Sequence, residues 1–326
     1  MKVLMTGGAG FLGARLARRL LAQGELSQRP IETLVLTDRV EQADPVISHD
    51  PRVRLHTGDL LNSLPELMQT PYDAVFHLAS AASAECEADF VLGLRANVQT
   101  TQALLEKLSQ QAQASGLASR LFFSSSVAVF GGDAGLPLPA VITDQTLPVP
   151  QSSYGVHKII CEQLIADYTR KGFIDGRVAR LMTVSVRAGR PNGAASGFLS
   201  GIIREPLAGQ ACLCPVDPDL RVALASPETT LDGILAVFEA DRGALGGRTA
   251  INLPALTVSI GEMLGALEDI AGPETARLVH FEPDPEIEQI VGSWPAQLDC
   301  ERTRALGLVG DASFEDIIHQ YINSLA

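Results

Sequence analysis

Positive charge is scarce in this chain. Its 326 residues carry 25 lysines and arginines against 38 acidic side chains, a formal net charge of −13. That balance argues against a surface that tracks nucleic-acid phosphates and against attraction to anionic lipid, so small molecules are the expected partners, with no nucleic acid and no membrane. Lysine is confined to Lys2, Lys107, Lys158 and Lys171; an anion site in the C-terminal half must therefore rest on arginine, backbone amides or hydroxyls. No apolar run reaches the ~18–20 residues that a membrane-spanning helix needs. The cysteines, Cys86, Cys161, Cys212, Cys214 and Cys300, are odd in number and show no paired framework. Cys212 and Cys214 flank one residue, but no histidine or second cysteine pair stands near to complete a zinc site, so no metal is expected. No leader is read before Met1–Thr6, which is already strand-like, and a reducing, cytoplasmic setting is the expectation.

What is present reads as a well-buried globular protein, 46% hydrophobic and 19% charged, long enough for a full domain and a smaller one. "KVLMT" (2–6) is a short apolar strand that runs into "GGAGFLG" and then a helix whose apolar positions recur at helical spacing until Gly24. Further strands are expected at 33–38, 53–60 and 73–80, read as continuous in apolar character, as strands buried on both faces are, at 120–132, ending in hydroxyls, and at 176–184. Helices are expected over 88–115 and 154–171. Residues 185–224, rich in Gly, Pro, Ser and Arg, break the alternation and read as a substrate lobe. Helix at 229–241 and strand at 248–254 return the chain to the first domain, before small helices around 258–272 and 312–325.

Two local patterns carry chemistry. Gly7, Gly10 and Gly13 are spaced by three, and Gly8, Gly10 and Gly13 satisfy G-x-G-x-x-G between a strand and a helix. Glycines there let the backbone, with Phe11 and Leu12 between them, approach a pyrophosphate, and the helix start binds its charge. Asp38 ends the second strand, where a carboxylate accepts hydrogen bonds from the adenosine ribose and repels a 2′-phosphate, favouring NAD; Arg39, next in sequence, would favour NADP. Asp59 and Leu60 are expected beside the adenine, and Leu78, Ala79 and Ser80 along the cofactor at the end of the fourth strand, with Val184 ending the sixth. Asp59 also reads as a simple turn cap after Gly58. The second pattern is "QSSYGVHK" (151–158), which sets Tyr154 and Lys158 four positions apart on one helix face. A cation beside a phenol lowers its pKa from about 10 and makes a usable base; taken alone, the pair reads as two surface residues, and the rest of the chain decides.

"TGGAGFLG", "GDL", "HLAS", Asn97, "SSSVAVFG" and "YGVHK", in this order, resemble the extended short-chain dehydrogenase/reductase superfamily over nearly the whole chain. The resemblance implies an α/β fold, a Rossmann-type doubly wound parallel sheet with a smaller α/β substrate-binding lobe. Residues 1–184 with 225–254 would form a discontinuous NAD-binding domain, and 185–224 with 255–326 the substrate-binding domain. It implies that Tyr154 is the general acid or base, that Lys158 binds the nicotinamide ribose and lowers the tyrosine pKa, that Ser126 hydrogen-bonds the reacting oxygen, and that Asn97 holds a relay water. Phe130 stands where sugar-nucleotide epimerases of the superfamily usually carry tyrosine.

Within the superfamily, "ECEADF", "RLMTVSVRAGRPNGAASGFLSGIIREPLAG" and "EPDPEIEQIVGSWP" are similar to the D-erythronate dehydrogenases, whose implied reaction is NAD-linked oxidation of the 2-hydroxyl of a four-carbon sugar acid. "RVALASPETT" (221–230) departs from that pattern in its first half. A small hydroxy acid needs one carboxylate clamp, and an arginine fork holds a carboxylate in two places. Arg187 and Arg190 follow the sixth strand, with Arg190 preferred because it borders "PNG"; Asn192 is a candidate contact to a hydroxyl, and Ser80, Ser126 and Tyr154 complete the expected substrate set. The alternatives are an NDP-sugar epimerase or dehydratase, which would need a second diphosphate site, and a non-catalytic dinucleotide sensor, which would not need the Tyr/Lys pair. A homodimer through helices 88–115 and 154–171 is implied by the resemblance.

Overall fold

A computed structural model describes residues 1–189 and 194–325. The first half alternates strand and helix: β1 (Lys2–Thr6), α1 (Phe11–Gln23), β2 (Thr33–Asp38), β3 (Val53–Thr57), α2 (Leu60–Leu67), β4 (Ala74–His77), α3 (Ser83–Ala88), α4 (Phe90–Leu94), α5 (Thr100–Ser115), β5 (Arg120–Ser126), α6 (Ser153–Arg170) and β6 (Asp175–Leu181). Then come β7 (Thr183–Val184), α7 (Phe198–Leu207), β8 (Arg221–Ala225), α8 (Pro227–Glu239), β9 (Ile251–Asn252), β10 (Leu256–Ser259), α9 (Ile260–Ala271), α10 (Pro285–Gly292) and α11 (Phe314–Asn323).

β1 pairs in parallel with β2 on one side and β4 on the other, and the seven-stranded sheet runs β9-β6-β5-β4-β1-β2-β3. This is the doubly wound order, in which the chain leaves β1 and β4 for opposite faces and opens a crevice at their carboxyl ends. α1 and α8 cover one face through Leu16, Leu20, Leu231, Ile234 and Phe238. α5 and α6 cover the other through Leu104, Leu108, Cys161 and Ile165. α1 ends where Gly24 turns left-handed at φ +73. α6 begins at Ser152, whose Oγ accepts the Gly155 N–H at 3.2 Å, while Glu87 accepts the Ser153 N–H at 2.6 Å.

Two expected elements are split. The strand expected over 176–184 breaks at Met182: Asp175–Leu181 stays in the main sheet, while Thr183–Val184 pairs with Leu224–Ala225 of β8 in a second sheet that β10 closes in antiparallel. The expected boundary after 184 falls at the end of β7, and the one before 225 cuts β8 ahead of its last residue, Ala225, which pairs with Val184. The helix expected over 88–115 is interrupted by a π-turn, Arg95–Gln99. The second core gathers Leu199, Ile202, Leu224, Met263 and Ile317 from the segments after β7.

Candidate active site

The crevice at the sheet's carboxyl edge is a cavity of about 820 Å³. At one end lies the glycine turn. Gly7 takes φ +73, and its N–H and that of Gly8 donate to Thr37 O at 2.9 and 3.2 Å. A side chain at Gly7 would begin 2.8 Å from Ala79 N, and one at Gly13 would begin 2.0 Å from Gly7 O. The N–H groups of Phe11, Leu12 and Gly13, in the first turn of α1, have no partner within the helix. Backbone donors in a cradle too tight for any Cβ suit a pyrophosphate, and the turn fits a dinucleotide. Asp38 beside it accepts from Ala9 N–H (3.0 Å) and Arg39 N–H (2.7 Å), which fixes the carboxylate while leaving lone pairs for ribose hydroxyls. Asp59 caps α2 through the Asn62 N–H and also meets Arg95 at 3.4 Å, so the turn-cap reading is realised; with Leu60 it still lines the cavity.

In the middle of the cavity stand Ser126, Tyr154 and Lys158. Tyr154 is half-buried in the first turn of α6, and Lys158, 2% exposed, follows one turn later. The Lys158 Nζ donates to Ser124 O at 2.7 Å and lies 5.3 Å from the Tyr154 ring centroid and 4.8 Å from that of Phe123. Among the described residues no carboxylate forms an ion pair with it. A buried ammonium against two ring faces is a strong local source of positive potential. Ser126 Oγ accepts the Ala128 N–H at 3.2 Å, the serine of a turn cap, which leaves its own proton for a ligand oxygen.

Below Lys158 a buried network fixes α6 to the sheet. Glu162 receives Arg180 at 2.9 and 2.7 Å and the Ser125 hydroxyl at 2.5 Å; Arg180 also stacks 4.8 Å over Phe130. The phenylalanine that replaces the expected tyrosine is thus the apolar platform for a buried guanidinium. Asn97, in the π-turn, accepts the Ala81 N–H at 2.7 Å and the Ser80 hydroxyl at 3.0 Å and donates to Ala81 O at 3.3 Å. Its side chain holds the loop after β4 against the cavity. Behind that loop, Thr101 donates to Asn97 O at 2.6 Å, so the His77 Nε2 must donate to Thr101 and Thr6 must donate to His77 Nδ1, 2.7 Å away. Burial first, then Lys158, pushes His77 down to about 3. Cys86, beside Asn97, is pushed by burial up to about 11.

The second lobe supplies the far wall. Arg187 lines the cavity, with Nε donating to Val184 O at 3.2 Å and an Nη to Ser196 Oγ at 3.3 Å among its contacts. Burial pulls its ionisation below the usual guanidinium range, Tyr154 opposing and Arg204 adding to that effect. The phenol therefore has Lys158 on one side and Arg187 close by. Arg190 and Asn192 lie outside the described residues. Leu78, Ala79, Ser80 and Val184 line the cavity. Ser83, Ser196 and Trp294 line it too and carry no local motif that would have marked them; Ser83 Oγ accepts the Ala195 N–H at 3.1 Å, closing the wall between the lobes.

Comparison with known proteins narrows the reading. The model of the family described as "NAD dependent epimerase/dehydratase family" matches residues 3–243. The chain is 47% identical to the D-erythronate dehydrogenase of Cupriavidus necator over 99% of its own length and 98% of that protein's, and 42% identical to that of Haemophilus influenzae over 99% of both. A crystal structure described as the nucleoside-diphosphate-sugar epimerase from Agrobacterium tumefaciens superposes with a TM-score of 0.92 at 36% identity, covering 99% of this chain and 94% of that one.

Proposed function

The chain belongs to the NAD dependent epimerase/dehydratase family, and we propose that within it the protein is a dehydrogenase that uses NAD to oxidise the 2-hydroxyl of a short sugar acid, D-erythronate, to the 2-oxo acid. The observation that carries this reading is the meeting of Tyr154, Lys158 and Ser126 with Arg187 in one cavity with the glycine turn. Gly7, Gly10, Phe11, Leu12 and Gly13 hold the pyrophosphate, Asp38 the adenosine ribose, and Asp59, Leu60, Leu78, Ala79, Ser80 and Val184 the remaining walls of the cofactor arm. Bound nicotinamide supplies the hydride acceptor. Tyr154 takes the proton of the substrate hydroxyl as its carbon is oxidised, with the Lys158 ammonium 5.3 Å from its ring centroid. Ser126 donates its free proton to the reacting oxygen, and Arg187 takes the carboxylate in a fork.

The relatives that are 47% and 42% identical over nearly the whole chain are both described as D-erythronate dehydrogenases, which favours a sugar acid over the NDP-sugar reading to which the Agrobacterium structure's description would lead. All five cysteines are free, in keeping with work in the cytoplasm. The exposed apolar side chains Phe90, Val156 and Ile160 on α4 and α6 support a homodimer through these helices, which an Ile160→Glu variant should convert to monomer in sedimentation analysis. Incubation with NAD and four-carbon sugar acids, followed by identification of the keto product, tests the activity; oxidation at the 3-hydroxyl, or none, would refute the assignment.

A further inference from the structure

Trp294 is the chain's only tryptophan. It follows α10, is half-buried, and lines the cavity that holds Tyr154. Its neighbours place it at the end opposite Asp38. α10 packs against the turn Ala195–Gly197, Ser196 of that turn bonds Arg187, and Arg187 is close enough to Tyr154 for the phenol to act on its ionisation. The segment that carries Trp294 is fixed from both lobes. Thr257 Oγ1 donates to Ala296 O at 2.6 Å, the Ile142 N–H donates to Gln297 O at 2.9 Å, and the Asp299 N–H donates to Ile142 O at 2.8 Å. Pro295 is buried, and Trp294 packs against the second core. Anchored in this way, the segment sets Trp294 as part of the cavity wall.

The wall differs chemically from what precedes it. Ser83, Ser126 and Ser196 offer hydroxyls and Arg187 a guanidinium, suited to a carboxylate and the first hydroxyls of a polyol. The indole offers an apolar face and a single N–H donor. We propose that Trp294 sets the length of acid the site accepts: a four-carbon chain ends against it, whereas each further hydroxymethylene meets the ring with its hydroxyl unpartnered. An unpartnered buried hydroxyl disfavours binding by roughly tenfold to a hundredfold. The inference rests on the sugar-acid reading of the site and adds to it the residue that chooses among sugar acids.

The test is kcat/KM for aldonic acids of four, five and six carbons with wild type, Trp294→Ala and Trp294→Phe, with thermal midpoints measured alongside. Wild type should fall at least tenfold from the four- to the six-carbon acid. Trp294→Ala should narrow that ratio at least tenfold, chiefly by gain on the longer acid, and Trp294→Phe, the variant more certain to fold, should lie between. Because emission comes from one indole, adding the four-carbon acid to NAD-loaded Tyr154→Phe, which forms too little NADH to quench it, should also change it, and the six-carbon acid should change it less. Normal oxidation of the four-carbon acid with an unmoved length ratio in both variants overturns the proposal alone. A wild type that oxidises none of the acids overturns the reading of the site and the proposal with it.

Discussion

His77 should make this protein lose stability in mild acid, and the loss can be worked out from its surroundings. The imidazole is 1% exposed, accepts the Thr6 hydroxyl at Nδ1 and donates from Nε2 to Thr101. Burial disfavours the charged ring first, and Lys158 adds its own charge; a second proton would sit on Nδ1, where Thr6 already donates. Folding therefore lowers the group from 6.5 to about 3. In the unfolded chain the histidine takes up a proton as the pH falls through ~6.5; in the folded protein it stays neutral until about 3. Between those limits the unfolded state binds more protons, so stability falls with pH by up to ~1.4 kcal/mol per unit. From pH 7 to pH 4.5 the loss from this residue is about 2.5 kcal/mol. Urea unfolding across that range, wild type against His77→Gln, reads it directly. The variant should be less stable at pH 7, with its curve flatter by about 2.5 kcal/mol. His157, which burial also lowers, is common to both proteins and cancels, and Asp50, held low by its hydrogen bond to Arg52, titrates below the series. Parallel curves would refute the buried neutral imidazole.

Other consequences can be tested separately. Wild type should use NAD at lower concentration than NADP, and Asp38→Ala should narrow that preference; a wild-type preference for NADP would assign control to Arg39. Arg187→Ala should raise the KM for the acid by about 10–150-fold, the equivalent of losing a charge-assisted bond worth ~1.5–3 kcal/mol, with little change in the KM for NAD, and Arg187→Lys should not restore it fully. An unchanged KM would move the clamp to Arg190, whose alanine variant belongs in the same series. Breaking the buried Glu162–Arg180 pair, whose side chains are 3% and 10% exposed, by Arg180→Met should lower stability by ~3–5 kcal/mol, and the double variant Glu162→Leu/Arg180→Met should recover most of it. Denaturant midpoints decide the point.

What the sequence made legible was local. The glycine turn, Asp38 and the Tyr154/Lys158 spacing each express their chemistry within a few residues of one strand or helix, and the structure brings them to one crevice. Where long-range contacts decide, the sequence was silent. The helix expected over 88–115 gives no sign of its π-turn, because the turn goes with the hold of Asn97 on Ala81, sixteen residues away. The strand expected over 176–184 shows no break at Met182, since Val178, Ala179 and Leu181 are buried in the main sheet and Val184 beside β8; periodicity cannot mark a change of sheet. Glu162 and Arg180 look like ordinary charges until the fold buries them together. Trp294 reaches the cavity only through packing of the second lobe.

The account turns on Tyr154 as the group that takes the substrate proton, and one comparison tests it most directly: steady-state NADH formation from D-erythronate by wild type and Tyr154→Phe, with NAD binding measured on both. The phenylalanine keeps the ring beneath Lys158 and removes only the hydroxyl. The account predicts unchanged folding, NAD binding within a few-fold of wild type, and turnover lower by ~10²–10⁴-fold, the usual contribution of a general acid or base. A variant that keeps more than about a tenth of wild-type turnover would contradict it.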